Sequence, residues 1–258
     1  MLGAIIGDVA GSIYEWQNIK TANFELITEN SHFTDDTVLT IAVAESILLK
    51  TDYAKSLKKW GLKYPNAGYG GSFLRWLHSD NAEPYNSWGN GSAMRVSAVG
   101  WAFDSIEQTL TEAKNSAEVT HNHPEGIKGA KAVASAVFLA RNGKTKEEIK
   151  QYIETNFKYD LNRSIDSIRP IYEYDVSCQG SVPEAIIAFL ESVDFESAIK
   201  LAISLGGDSD TIGCIAGAIA QAFYKKIPEE IAMKVIKKLP ADMLKILNKF
   251  ENEYVSCQ

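Results

Sequence analysis

An all-α fold, arranged as one compact multi-helix domain, is what this sequence predicts. Apolar residues recur at helical spacing along most of its length, and alternating strand-like stretches are scarce. Gly, Pro, Asn and Ser gather between the periodic segments in clusters of loop length. The chain has 258 residues and 45% hydrophobic content, enough to bury a full core as one large domain or two small ones. No internal repeat, low-complexity tract or shift of composition divides it, so residues 1–258 are read as a single domain.

The elements follow in chain order. After Thr34, the residues Val38, Ile41, Ala42, Glu45, Leu48 and Leu49 recur at three and four, the signature of an amphipathic helix. Further helices are expected over residues 92–103, 106–119, 126–142, 146–157, 182–191, 195–205, 210–225 and 229–238, with a shorter one over 241–251. Residues 65–72, 81–91 and 121–126 read as loops. The apolar opening, residues 1–8, lacks a basic start and is cut short by Asp8, which argues against a signal peptide. The most apolar later stretch, 212–223, contains Gln221 and is well short of the ~20 residues a bilayer span needs. The protein is therefore expected in the cytoplasm, with no membrane segment.

Charge and cysteines exclude other classes. A net charge of −7 with both signs interspersed offers no basic stripe for duplex binding. Nucleic acid is thus not an expected partner except as a modified acceptor. Cys178, Cys214 and Cys257 are odd in number and widely spaced, as reduced thiols are, and neither a disulfide framework nor a zinc site is expected.

Two acidic segments carry the chemistry: Phe33-Thr34-Asp35-Asp36-Thr37 and Gly206-Gly207-Asp208-Ser209-Asp210-Thr211. Each sets two carboxylates and a hydroxyl just ahead of an apolar run. Either one alone is equally well explained by helix capping, with Thr34 and Asp208 or Ser209 as caps and the aspartates at the positive end of a helix dipole. As a pair they ask for more. If both helix starts converge, four carboxylates share a small volume and raise one another's pKa unless a cation compensates. Two divalent ions would bring about +4 of charge, and an all-oxygen set without Cys or His favours Mg²⁺, with Mn²⁺ or Ca²⁺ also fitting. Gly206 and Gly207 allow a tight backbone before the ligands. Gly213, Ala216, Gly217 and Ala220 leave a thin helix face whose simplest use is packing against another helix.

Four ordered motifs resemble the ADP-ribosylglycohydrolase family, which includes the dinitrogenase reductase activating glycohydrolase. They are Gly3-Ala4-Ile5-Ile6-Gly7-Asp8 through Gly11-Ser12-Ile13-Tyr14-Glu15, then Phe33 to Thr37, then Gly89-Asn90-Gly91-Ser92-Ala93-Met94-Arg95, and Gly206 to Gly213. The resemblance implies an all-α fold with a binuclear Mg²⁺ cleft that binds ADP-ribose. Carried over by position, Thr34, Asp35, Asp36, Asp208, Asp210 and Thr211 match the family's metal ligands. Glu15 matches a mobile glutamate near the metals and the scissile bond; the residue alone would read as an exposed carboxylate after a helix. Asp8 is as well suited to helix capping or support of the ligands as to catalysis.

The loop Ser87-Trp88-Gly89-Asn90-Gly91-Ser92 precedes an expected helix and is similar to the family's diphosphate and ribose loop. A plain turn is the alternative. Gly68 to Ser72 is a second, weaker glycine-rich candidate. His121 aligns with a family histidine near the ligand, and a structural histidine explains it equally. Tyr69, Trp88 and Phe138 are candidates to stack on adenine, although aromatics more often belong to a core.

Glycosidic cleavage builds oxocarbenium character at the anomeric carbon, so an enzyme must fix the sugar, activate water and protonate the leaving atom. Metals suit the first task, and Glu15, Asp35 and Asp208 are the candidates to move protons. The expectation is a Mg²⁺-dependent hydrolase that frees ADP-ribose from a modified acceptor, a protein side chain foremost. The alternatives are an ADP-ribose-binding module without turnover, and a hydrolase of a small derivative such as an O-acyl ADP-ribose ester. Residues 64–87 are the stretch expected to choose the acceptor.

Overall fold

The computed structural model describes residues 1–80 and 83–255. Asn81 and Ala82, which open the expected 81–91 loop, and Cys257 lie outside the described residues.

Fifteen α-helices and no strand occur among the described residues, in agreement with the all-α expectation. They are α1 (Leu2–Gly11), α2 (Asp35–Leu49), α3 (Tyr53–Lys63), α4 (Gly71–Leu77), α5 (Gly91–Met94), α6 (Ser97–Ala102), α7 (Ile106–Glu118), α8 (Pro124–Arg141), α9 (Lys146–Phe157), α10 (Ile165–Ile168), α11 (Cys178–Glu191), α12 (Phe195–Ile203), α13 (Ser209–Tyr224), α14 (Glu229–Ile236) and α15 (Ala241–Phe250). A π-helical turn, Glu251–Val255, follows the last. Among the described residues, no helix is long and apolar enough to cross a membrane.

The caps explain most boundaries. Asp52, Ser105 and Asp194 accept from backbone N–H groups at the starts of α3, α7 and α12, and Thr145 forms a reciprocal capping box with Glu148 at α9. Pro124 sits in the first turn of α8 behind the cap His123, where its missing N–H costs nothing, so that helix starts earlier than expected. Ser177 caps α11 ahead of the expected start at Val182, and Pro183 lies inside the helix. The helix expected over 92–103 is two, because Arg95 and Val96 take a turn conformation at φ −87° and ψ −4°. Gly71 opens α4 within the expected 65–72 loop.

The fold is organised by α1 and α13, which run antiparallel with their backbones in close approach. A Cβ on Gly7 would lie 2.0 Å from the carbonyl oxygen of Gly213, and one on Gly3 would lie 2.3 Å from that of Gly217. At Gly11 it would meet the carbonyl oxygen of Ser209 at 2.4 Å. Only glycine permits this register, which sets the C-terminal end of α1 against the N-terminal end of α13. Around the pair, α2, α8, α11 and α12 complete one hydrophobic core. Gly7→Ala pushes a methyl into backbone that cannot yield, so it is expected to cost about 3 kcal/mol or more. Thermal unfolding should show a fall of roughly 6–12 °C for a chain of this size; an unchanged midpoint would contradict the packing account.

Candidate active site

Three helix ends meet where α1 finishes. Asp8, fully buried on α1, accepts from the Thr34 N–H at 3.0 Å, the Thr34 hydroxyl at 2.6 Å and the Thr37 N–H at 3.0 Å, and also from the Thr37 hydroxyl. Asp8 thus caps α2 from a different helix, beside the local cap in which Asp36 N–H donates to Thr34 Oγ1 at 3.3 Å. Those bonds place Asp35 and Asp36 beside the start of α13, where the Thr211 hydroxyl donates to Asp36 Oδ2 at 3.2 Å. Gly206 and Gly207, at φ +73° and +71°, make the left-handed turn that delivers Asp208. Asp208 stands at the N-cap of α13 but makes no capping bond; its Oδ2 accepts from the Asn90 amide at 2.6 Å instead. Its carboxylate is therefore turned to the cleft and not to its own helix.

Glu15 reaches the same place from the segment after α1. Asn18 ties that segment to the Gly207 turn: its amide donates to the carbonyls of Glu15 at 2.8 Å and Gly207 at 3.1 Å, and its Oδ1 accepts from Gly207 N–H at 2.8 Å. The Tyr174 hydroxyl donates to Glu15 Oε1 at 3.0 Å.

The electrostatics are those of an uncompensated acidic site. No Lys or Arg forms an ion pair with Asp8, Glu15, Asp35, Asp36, Asp208 or Asp210 among the described residues. Burial, then the charges of Asp8 and Asp208, hold the Asp35 carboxyl well above its ordinary range. Burial with Asp8 and Asp35 does the same for Asp36, and burial with Asp208 and Asp36 for Asp210. Asp208 and Glu15 are also raised, by burial first. Asp36 Oδ1 is buried with no hydrogen-bond partner. Carboxylate oxygens form two sets, one from Asp8, Asp36 and Asp210 and one from Glu15, Asp208 and Asp210, and within each set the oxygens lie within 4.8 Å of one another. Thr34 spends its hydroxyl proton on Asp8 and Thr211 on Asp36, which leaves oxygen lone pairs for a cation. An orphaned carboxylate oxygen among like charges fits a hard divalent ion, the remedy being charge and not protons.

A cleft of about 310 Å³ opens over this cluster. Glu15, Asp35, Asp36, Asp208, Asp210 and Thr211 line it together with Ser87, Gly89, Asn90, Gly91 and His121. Trp88 is not in the lining; it is 55% exposed and meets His123 edge-on, with centroids 5.7 Å apart. Of the other aromatics considered for adenine, Tyr69 is buried against Phe73 and Phe138 lies beneath the Arg141 guanidinium. In the 87–92 loop, Gly89 N–H donates to Ser87 Oγ at 3.1 Å and Asn90 N–H to Val176 O at 2.7 Å, so these two donors are already used. The helix that follows is a single turn and contributes little dipole. His121 Nδ1 pairs with Thr120 Oγ1 at 2.8 Å, and burial holds its pKa well below the usual value, keeping the ring neutral. Its Nε2 abuts Gly91, where a Cβ would come within 3.1 Å.

Several cleft residues were given no individual role from the sequence, although Phe73 and Tyr85 lie in the stretch expected to choose the acceptor. Arg95 is fully buried in the wall, with Nη2 donating to Ser116 O and Thr120 Oγ1 at 2.8 Å each. Tyr85, Phe73 and Tyr174 also line the cleft. The family motif containing Arg95 was a signal for the first; Tyr174 is 159 residues from its partner Glu15, and no local pattern announces it. Cys178 and Cys214 are buried free thiols, and burial pushes Cys178 up to about 12, which leaves no thiolate for chemistry.

Comparison with known proteins identifies relatives of the chain. The family model described as ADP-ribosylglycohydrolase matches residues 1–255. The human protein named ADP-ribosylhydrolase ARH3 is 30% identical, with 89% of this chain and 86% of that protein aligned. A Pseudomonas putida protein named ADP-ribosylarginine hydrolase Tri1 is 26% identical over 91% of this chain and 72% of its own length. A solved structure titled ADP-ribosylglycohydrolase-related protein complex superposes with a TM-score of 0.73 at 23% identity, over 97% of this chain and 96% of that one, which shows the shared fold. On the strength of a family match over nearly its whole length, the chain belongs to the ADP-ribosylglycohydrolase family.

Proposed function

We propose that this protein is a Mg²⁺-dependent hydrolase that cleaves the glycosidic bond between ADP-ribose and a modified protein side chain and releases ADP-ribose. The observation that carries the reading is the meeting of three helix ends at an acidic cluster that no Lys or Arg compensates among the described residues, in a chain of this family. Thr34, Asp35, Asp36, Asp208, Asp210 and Thr211 are the proposed ligands of two ions. Asp210 belongs to both oxygen sets, while Asp8 holds Thr34 and the start of α2 in place. When bound, such ions supply Lewis-acid polarisation of water and a grip on ribose hydroxyls.

The remaining work falls to side chains. Ser87, Gly89, Asn90, Gly91 and the neutral His121 form the wall proposed to hold diphosphate and ribose, with the open face of Trp88 beside them for adenine. Glu15, half-buried and raised in pKa, is the proposed proton acceptor from the attacking water. Asp35 and Asp208 are the other carboxylates within the cleft that can pass a proton on.

The protein incubated with Mg²⁺ and conjugates of ADP-ribose on arginine, serine and a nucleobase should release free ADP-ribose from at least one. EDTA should stop the release, and Mg²⁺ or Mn²⁺ should restore it. No release from any conjugate would sink the reading, and tight calorimetric binding of ADP-ribose without release would replace it by a binding module.

A further inference from the structure

His121 is a neutral imidazole in the cleft wall, so one ring nitrogen donates and the other accepts. Which does which decides what the wall offers a ligand. Nε2 is on the cleft side: a Cβ on Gly91 or Gly89, two lining residues, would lie 3.1 or 3.5 Å from it. It has no hydrogen-bond partner among the described residues, whereas Nδ1, on the covered side, lies 2.8 Å from Thr120 Oγ1.

Thr120 is fully buried, so its one hydroxyl proton and two lone pairs must be used inside the protein. Arg95 Nη2 donates to its Oγ1 at 2.8 Å. The Tyr85 hydroxyl hydrogen-bonds the same side chain, and a phenol, being a stronger acid than an alkyl alcohol, is the donor of that pair. Both lone pairs of Thr120 are then filled, and its own proton has Nδ1 as its remaining partner. The opposite assignment crowds three donors on one oxygen and leaves a buried hydroxyl proton without an acceptor. Arg95 reinforces the choice. It is fully buried, its Nε and Nη1 have no partner, and its Nη2 meets only the oxygens of Ser116 and Thr120 among the described residues. With no carboxylate to offset it, its positive charge behind the ring favours a lone pair on that side over an N–H.

We infer that Thr120 is a positioning residue, backed by Arg95 and Tyr85, that fixes His121 as the tautomer bearing its proton on Nε2. The cleft then meets a neutral N–H and no imidazole lone pair. On the hydrolase reading, on which this step rests, the N–H is a donor to a phosphate or ribose oxygen of ADP-ribose beside the 89–91 loop. A ring that turns no lone pair to the cleft also accepts no proton there, so the work of a base is left to the carboxylates.

Long-range ¹H–¹⁵N spectra of histidine-labelled protein read the tautomer directly, with His121→Asn identifying the signal. The wild type near neutral pH, without ligand, should show a protonated Nε2 and a bare Nδ1. Thr120→Val keeps the shape and removes the hydroxyl, so it should populate both tautomers and weaken calorimetric binding of ADP-ribose by about two- to tenfold, the worth of one hydrogen bond. Thr120→Ser should restore both the single tautomer and the affinity. A wild-type ring protonated at Nδ1 or at both nitrogens, or an unchanged tautomer in Thr120→Val whatever its affinity, would overturn the inference. Wild-type protein that shows the Nε2–H ring and binds no ADP-ribose would remove the hydrolase reading and the ligand assigned to that N–H, while the positioning role of Thr120 stands.

Discussion

Asp210→Asn is expected to reduce ADP-ribose release by at least about a thousandfold in kcat/KM, equivalent to about 4 kcal/mol of transition-state stabilisation, while raising the melting temperature of the metal-free protein. The two effects share a cause. Asp210 lies in both oxygen sets, so its loss damages both proposed ion sites at once. Without an ion, its charge is a liability, because burial and the carboxylates of Asp208 and Asp36 oppose its ionisation. Asparagine keeps the volume and the oxygen that accepts from Thr211 N–H at 3.0 Å, and replaces the other, charged oxygen by a neutral NH₂ that can donate to the neighbouring carboxylates. The same reasoning gives a pH dependence. Carboxylates raised in the folded state hold protons that the unfolded chain has already released. Metal-free stability should therefore fall as pH rises from the ordinary carboxylate range through the raised pKa values. Mg²⁺ in the proposed sites would take the deprotonated cluster, so its stabilisation should grow as pH rises through those raised pKa values, reaching about 2.7 kcal/mol at a hundredfold excess over Kd. Scanning calorimetry with and without Mg²⁺ checks each sign. An Asp210→Asn protein that is still stabilised by Mg²⁺ as the wild type is, or that melts lower without it, would contradict the ion-site assignment.

How much of this was legible in the sequence depended on range. Helices whose stability comes from an amphipathic face, such as α7 and α9, show their period directly, whereas α2 and α13, buried on every side over most of their length, show as apolar runs behind acidic starts. The helix α1 is not legible in this way, because Gly3, Gly7 and Gly11 are poor helix formers and argue locally against it. What makes it a helix is a partner far along the chain, whose Gly213 and Gly217 accept its backbone. The spacing of four between glycines on both segments was visible, and their pairing was not. The amphipathic α3 was also unread, although Asp52 caps it and Leu57 and Trp60 give it a buried face. At the site, the two acidic segments stood out because their chemistry is local. Their separation into a cluster at the cleft and a cap behind it was hidden: Asp8, not Asp208, does the capping across helices. Tyr174 and Arg95 escaped for the same reason, since each acquires its surroundings from segments that only the fold brings near.

Glu15→Gln is expected to lower kcat by about 10²–10⁴-fold, the usual worth of a positioned general base, while ADP-ribose affinity and melting temperature hold. Glu15 lies on the segment after α1, outside the helices that hold Asp35, Asp36 and Asp210. Burial and then the charge of Asp208 push its pKa up, and the Tyr174 hydrogen bond pulls it down. A base must be ionised to accept a proton, so wild-type kcat should fall as pH drops through the Glu15 pKa. Tyr174→Phe removes the downward pull, and the acid limb of the profile should then move to higher pH. In Glu15→Gln the limb should vanish with the group that causes it. These three profiles separate proton transfer from mere placement, because a residue that only shaped the cleft would change the height of the curve and leave its limb where it was. If Glu15→Gln keeps both its rate and its acid limb, the proton goes to Asp35 or Asp208, and the glutamate is left as a neighbour of the ions.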